Sequence, residues 1–170
     1  MSSRSGCVLM KVETVFDLES DGFLSVVSKI HCIAYQTYDM ETPEVLDPKD
    51  YVTFFTDKSR RFVCHNVRSY DSKVLKKLLG IDIPYEACID TLWVSRNLYP
   101  DRAKRKVDGV DYTAHGLDGW GLDMGVPKPK IDDWENLSQE EYEHRVIEDV
   151  KINYGIWFDK MRPKYMEIYG

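Results

Sequence analysis

Asp17 and Glu19 stand two residues apart in the run Lys11 to Glu19, where Val12, Thr14, Phe16 and Leu18 alternate with Glu13, Val15, Asp17 and Glu19. Alternation of period two marks a β-strand, on which residues i and i+2 share a face roughly 6.5 Å apart. Two carboxylates so placed can converge on divalent cations about 3.5–4 Å from each other. The same pair also suits the acidic outer face of an ordinary antiparallel strand. Asp71 follows Cys64-His65-Asn66-Val67-Arg68-Ser69-Tyr70, where a strand ends and a helix begins. There it is either a further ligand or a helix N-terminal residue favoured by the macrodipole. Asp149, between Val146 and Val150, lies beside the apolar stripe of a long helix. A carboxylate in that position is costly unless it is paired or metal-bound.

The elements that must hold these residues can be read from pattern. Asp21-Gly22 marks a turn, and Lys29 to Tyr38 is a second β-like run, so an antiparallel hairpin with a long connection is expected. A third strand is expected near Tyr51 to Phe55. Arg61 to His65 reads as a strand feeding a helix over Tyr70 to Leu79, with Val74, Leu75, Leu78 and Leu79 at helical spacing and Gly80 as its stop. Ala87 to Ile89 is another short strand, and Thr91 to Tyr99 a helix halted by Pro100. Asp90 is expected to serve that helix N-terminus rather than a metal. Asp101 to Asp111 reads as an exposed charged loop. Ala114 to Met124 forms a modest helix, and Pro127 and Pro129 break the pattern. Ser138-Gln139-Glu140-Glu141, a capping box, opens the longest helix, along which Tyr142, Val146, Val150, Tyr154, Trp157 and Met161 make one buried stripe.

A chain of 170 residues, 43 % of them hydrophobic, fits one domain over residues 11–170 behind a loose leader at 1–10. Its cysteines, at 7, 32, 64 and 88, form no C-x-x-C pair, so neither a zinc site nor a disulfide framework is suggested, and a reducing cytoplasm fits best. No apolar run approaches the roughly 20 residues of a membrane span. A net charge of −6 speaks against bulk attraction to nucleic acid. Carboxylates that hold metal are neutralised once the cations bind, which weakens that objection.

Taken in order, the segments FDLES (Phe16 to Ser20), HN followed five residues on by YD, CIDTLWVSR (Cys88 to Arg96), HGLDGWG (His115 to Gly121) and EDV (Glu148 to Val150) resemble the Exo motifs of the DEDD, or DnaQ-like, 3′→5′ exonuclease superfamily. They are most similar to the proofreading domain of family A DNA polymerases from short-tailed phages, and the likeness runs from about Val12 to Trp157. The resemblance implies an α/β, RNase H-like fold with a central mixed sheet flanked by helices. It implies two divalent cations, Mg²⁺ or Mn²⁺, and release of nucleoside monophosphates from a nucleic-acid 3′ end. Asp17 would contact both ions, Glu19 and Asp149 would complete the first site, and Asp71 would act at the second. His65, Asn66 and Tyr70 would meet the substrate, a single-stranded DNA 3′ end or an RNA. A separate DNA polymerase is a candidate partner, and a phage-encoded protein in the host cytoplasm fits the likeness.

Superfamily members orient the attacking water with a histidine five residues before the last aspartate or a tyrosine four before it. Here His144 fills the first slot, and Arg145 stands where the phage domains have tyrosine. Positions five apart on an unbroken helix point about 140° away from each other. His144 can therefore join Asp149 only if the helix starts or kinks beside it; otherwise Arg145 reaches toward the substrate phosphate. The basic run Arg102, Lys104, Arg105 and Lys106 fits either phosphate contact or a solvated loop, and Tyr70, Trp93 and Trp120 either stack on bases or belong to the core. Two rival readings stand beside the exonuclease: an exoribonuclease similar to RNase T or oligoribonuclease, and a non-catalytic, polymerase-associated nucleic-acid-binding module.

Overall fold

The computed structural model describes residues 10–126, 128 and 136–170. Most of the expected leader, together with Pro127 and Pro129, lies outside the described residues. Strand β2 (Ile30–Thr37) runs antiparallel to both β1 (Val12–Ser20) and β3 (Glu44–Val45), and β4 (Arg60–Cys64) and β5 (Cys88–Asp90) run parallel to β1. The spatial order is β3-β2-β1-β4-β5, so β1 lies at the centre of a mixed sheet.

The alternation along β1 divides the interior into two layers. Phe16 and Leu18 pack with Phe54 and Phe55 of α1 (Tyr51–Thr56) and with Val74 and Leu75 of α2 (Asp71–Leu79). Val15 points the other way, into a layer built by α3 (Thr91–Leu98), α4 (Leu117–Met124) and α5 (Gln139–Gly155). Helix α2 ends at Gly80, whose φ of 68° is open to glycine without the steric cost a Cβ would bring.

Two sequence expectations are corrected here. Tyr51 to Phe55 is helical, not a third strand. Its β-prone residues bury Tyr51, Phe54 and Phe55 at spacings of three and four, and the Asp47 side chain, accepting the Lys49 N–H, starts the preceding turn. Asp101 to Asp111 is exposed as expected, but it contains most of a hairpin, β6 (Arg105–Val107) and β7 (Val110–Tyr112). Asp108 and Gly109, with φ of 49° and 78°, supply the two left-handed positions of a tight hairpin turn.

Helix α5 begins as the capping box requires: the Glu141 N–H donates to Ser138 Oγ at 3.2 Å, and the Ser138 N–H to Glu141 Oε2 at 2.6 Å. It continues unbroken to Gly155, passes through a π-helical stretch, Ile156–Met161, and ends in α6 (Arg162–Tyr169). Val146, Val150, Trp157 and Met161 are wholly buried along its inner face. Near its start the Tyr142 ring stacks on His31 of β2 at 3.8 Å, fixing the helix across the sheet.

Candidate functional site

The site forms where β1 and β4 end, at the carboxyl edge of the parallel strands, a usual place for ligands in α/β sheets. Asp17 and Glu19 share the β1 face that looks toward α5, and the pairing register with β2 slips between Glu19 and Ser20. Such a slip re-aims the side chains beside it. Asp149 reaches in from α5, and carboxylate oxygens of Asp17, Glu19 and Asp149 lie within 4.8 Å of one another. From the opposite layer Asp71, the first residue of α2, brings an oxygen within 4.8 Å of Asp17 and of the Cys64 sulfur. The cleft above them has a volume of about 250 Å³, and His65, Asn66, Tyr70, Leu117, Lys128 and Arg145 complete its wall.

Crowding of like charge in a buried place dominates the electrostatics. Burial raises the Asp17 carboxyl well above its ordinary value, and Asp149, Asp71 and Glu19 add to the rise while Lys128 opposes it. Glu19 is pushed up to about 7 by burial despite the Arg145 charge. Asp71 also reaches about 7 through burial, against hydrogen bonds from its own backbone and from the Cys64 thiol. Burial raises Asp149 too, opposed by Lys128 and Arg145. Two cations answer part of this charge: Lys128 Nζ lies 2.8 Å from Asp149 Oδ2, and Arg145 Nε 3.1 Å from Glu19 Oε1. Burial works against the charged form of Lys128, but its ion pair and hydrogen bond with Asp149, together with the nearby Asp17 carboxylate, outweigh it and raise the ammonium above its ordinary value. Asp149 Oδ1, in contrast, is buried without a hydrogen-bond partner among the described residues. An orphaned acceptor among mutually repelling oxygen donors fits a hard divalent cation, which would lower every one of these carboxyl pKa values.

The wall of the cleft is braced by hydrogen bonds. Asp90 caps α3 by accepting from Leu92 and Trp93, and it also accepts the N–H groups of Asn66 and Arg68, which pins the loop leading to Asp71. Its expected structural role is what the geometry displays. Asn66 takes a left-handed φ of 64°, a region that asparagine enters more readily than most residues. The Thr91 hydroxyl donates to Asn153 Oδ1 at 2.7 Å, so its 3.0 Å contact with His65 Nδ1 requires the ring to donate and leaves Nε2 as an acceptor. Burial, with Lys128 and Arg96 nearby, lowers His65 to about 4 and keeps it neutral. The Tyr70 hydroxyl is committed to Ser20 and Gly22.

His144 is not brought into this cluster. Because α5 runs unbroken from its cap at Ser138, His144 points outward and is exposed, whereas Arg145 is buried at the cleft. Trp120 is 4 % exposed and donates to Ser95 Oγ, so it belongs to the core and not to a stacking surface, whereas Trp93 is 43 % exposed. In the basic run, Arg102 and Arg105 both pair with Asp123 of α4, and Arg102 also lies over the Trp120 ring. Lys128, Thr91 and Cys64 are additions that sequence reasoning missed. Lys128 carries no periodic or motif signal, and Cys64 was legible only as part of the expected strand Arg61 to His65.

No protein-family model matches the chain, and no curated protein matches it; the likeness is to solved structures. One, described as the apo form of a nuclease, is 21 % identical with a TM-score of 0.65, the match covering 99 % of this chain and 79 % of that one. A family B DNA polymerase from Pyrobaculum calidifontis is 17 % identical with a TM-score of 0.62, over 92 % of this chain but 25 % of the polymerase. NrnC from Brucella melitensis, in a structure bound to pGG, is 19 % identical with a TM-score of 0.56, covering 94 % of this chain and 80 % of that one. NrnC is also known with bound Mg²⁺. The chain has the RNase H-like fold of DnaQ-like exonucleases: a mixed five-stranded sheet flanked by helices.

Proposed function

We propose that this protein is a metal-dependent 3′→5′ exonuclease of the DEDD superfamily, hydrolysing phosphodiester bonds from the 3′ end of DNA and releasing nucleoside monophosphates. The observation that carries this reading is the convergence of Asp17, Glu19, Asp71 and Asp149 from β1, α2 and α5 into one cleft. Asp17, Glu19 and Asp149 would hold one Mg²⁺ or Mn²⁺, and Asp17 with Asp71 the second. Bound cations of this kind supply an acidified water and stabilise the charge on the departing 3′-oxygen. The chain's own groups do the positioning. Arg145 and Lys128, now paired with Glu19 and Asp149, are the cations best placed to meet a phosphate, and neutral His65 offers an acceptor in a wall shared with Asn66 and Tyr70. Beside them a cavity of about 630 Å³ between Phe23, Tyr70 and Tyr142 is lined largely by apolar atoms and suits the terminal nucleoside.

Proofreading next to a separate polymerase is the finer form of this reading, drawn from the motif likeness to family A phage domains and from the fold shared with a family B polymerase. A second reading, an exoribonuclease, draws on the likeness to a protein captured with pGG. Three buried cysteines without disulfides, Cys32, Cys64 and Cys88, support a reducing compartment. Among the described residues no helix is long and apolar enough to cross a membrane. Incubating 5′-labelled single-stranded DNA and RNA in parallel with Mg²⁺ or Mn²⁺ tests the proposal. Stepwise shortening from the 3′ end that stops with EDTA is expected, and the faster polymer identifies the substrate. Binding of either polymer without metal-dependent cleavage would overturn the enzymatic reading in favour of a non-catalytic module.

A further inference from the structure

Helix α3 seats two histidines on successive turns. Thr91 and Ser95 are four residues apart and share a face, with Cβ atoms about 5–6 Å apart in a regular helix. Thr91 Oγ1 holds His65 Nδ1, and Ser95 Oγ lies 2.8 Å from His115 Nδ1. Ser95 is wholly buried, and its oxygen also accepts the Trp120 indole N–H at 3.0 Å. Among the described residues its hydroxyl meets no other acceptor, so a buried hydroxyl that must be satisfied gives its proton to His115 Nδ1. The His115 ring then carries its own proton on Nε2. Burial, with Arg102 and Arg96 nearby, lowers His115 and favours the neutral ring that this bond requires. The two rings have opposite polarity: His65 presents an acceptor at Nε2, and His115 a donor.

His115 is half-buried and precedes Leu117 of the cleft wall by two residues, and both it and Arg96 are close enough to act on His65. Arg96, next to Ser95, is exposed, and its side chain makes no ion pair or hydrogen bond among the described residues. The Asp118 carboxylate, which also acts on His65, has both oxygens engaged by Thr113, one by its N–H at 2.7 Å and one by its hydroxyl. On the exonuclease reading of this cleft, the terminal nucleoside lies between Phe23, Tyr70 and Tyr142 and the scissile phosphate at the acids. That cavity and the cleft share Leu18, Glu19 and Tyr70, whereas His65 and Leu117 belong to the cleft alone. The strand therefore leaves past His65 and Leu117, toward His115 and Arg96. We propose that His115 Nε2–H and the Arg96 guanidinium bind the phosphate one nucleotide upstream of the scissile bond. A fixed N–H donor beside an unpaired cation suits a phosphodiester, whose non-bridging oxygens only accept. Such a subsite reads backbone charge and sets register, without regard to base or sugar.

Fluorescence anisotropy in Ca²⁺, which takes oxygen ligands as Mg²⁺ does, tests this with 5′-labelled oligothymidylate. The strand is either unmodified or carries a neutral methylphosphonate at the second linkage from its 3′ end. Neutralising that linkage is expected to weaken wild-type binding about tenfold, the scale of one charge-assisted hydrogen bond. His115→Ala and Arg96→Ala are each expected to lose about as much on the unmodified strand and to respond little to the neutral linkage. His115→Gln, which keeps an amide N–H, should regain part of the loss. A histidine that only braces the fold predicts equal losses on both strands, and that result overturns the proposal. So does a wild type indifferent to the neutral linkage, a comparison that needs no variant to fold. Sensitivity at this linkage without metal-dependent cleavage of DNA or RNA sinks the nuclease reading and leaves the phosphate site standing. Cleavage by a wild type indifferent to the linkage does the reverse.

Discussion

Arg145 Nε lies 3.1 Å from Glu19 Oε1, with side chains only 9 % and 13 % exposed, so a helix cation reaches across to the strand that carries two of the four acids. Arg145 is four residues before Asp149 on an unbroken helix and therefore on its face; His144, five before, is not. The two neighbours make opposite predictions. Arg145→Ala is expected to slow cleavage on the order of 10²-fold, the scale of loss when a substrate-positioning contact is removed. His144→Ala should stay within a few-fold of wild type. Steady-state rates of both variants on one substrate decide, and a larger loss from His144→Ala would return the water-orienting role to the histidine.

Asp17 belongs to both ligand groups. Asp17→Asn is expected to abolish metal-dependent cleavage while leaving the metal-free melting temperature unchanged or raised, since the variant removes the carboxylate that burial and three acidic neighbours penalise. Cleavage assays paired with thermal melts in EDTA separate the two effects, and a collapsed fold would mean that Asp17 holds the structure together.

Glu19 and Asp71 each titrate at about 7 in the fold, against ordinary values of 4.5 and 3.8. Between those limits the native state keeps protons that the unfolded chain has already lost, so metal-free stability falls as pH rises toward about 7. A cation that binds only the native, deprotonated site reverses this, and the stabilisation by millimolar Mg²⁺ should grow over the same window. Melting curves with EDTA and with Mg²⁺ at about pH 5 and about pH 8 measure both slopes. An Mg²⁺ increment independent of pH would remove these two carboxyls from the binding site.

Asp90 accepts four backbone N–H groups, two opening α3 and two in the loop before Asp71. Asp90→Ala is expected to cost about 2 kcal/mol or more, the upper end for loss of a cap, because the loop donors are orphaned as well. Denaturant unfolding gives the stability change. The cleavage rate should fall with it as Asp71 loses its fixed position, and Asp90→Asn should restore part of both.

The strand pair of β1 and β2, the helices α2, α3 and α5 and the shared face of Asp17 and Glu19 were legible because each rests on local periodicity or a cap: Gly80 after α2, Asp90 before α3, Ser138 and Glu141 at α5. What failed had a competing local signal. Tyr51 to Phe55 has strand-like residue types but helical spacing, and the Asp108-Gly109 turn was masked by the charge around it. Within the site, the capping box already implied that His144 faces away, and only the motif likeness pulled against it. Lys128 and Cys64 were out of reach, because their proximity to Asp149 and Asp71 depends on how distant segments meet.

The acids of the cleft are drawn from both sides of the sheet: Asp149 from the layer of α5, and Asp71 from the layer of α2, with β1 between. Any fluctuation that lifts α5, and any fraying of the first turn of α2, dissolves the same ligand set. On the proposed reading, a bound cation would tie two separate hydrophobic cores into one cooperative unit, since neither could open without surrendering it. Amide protons on opposite faces of the molecule, far apart in sequence, would then exchange with solvent on a common timescale whenever the cleft is filled.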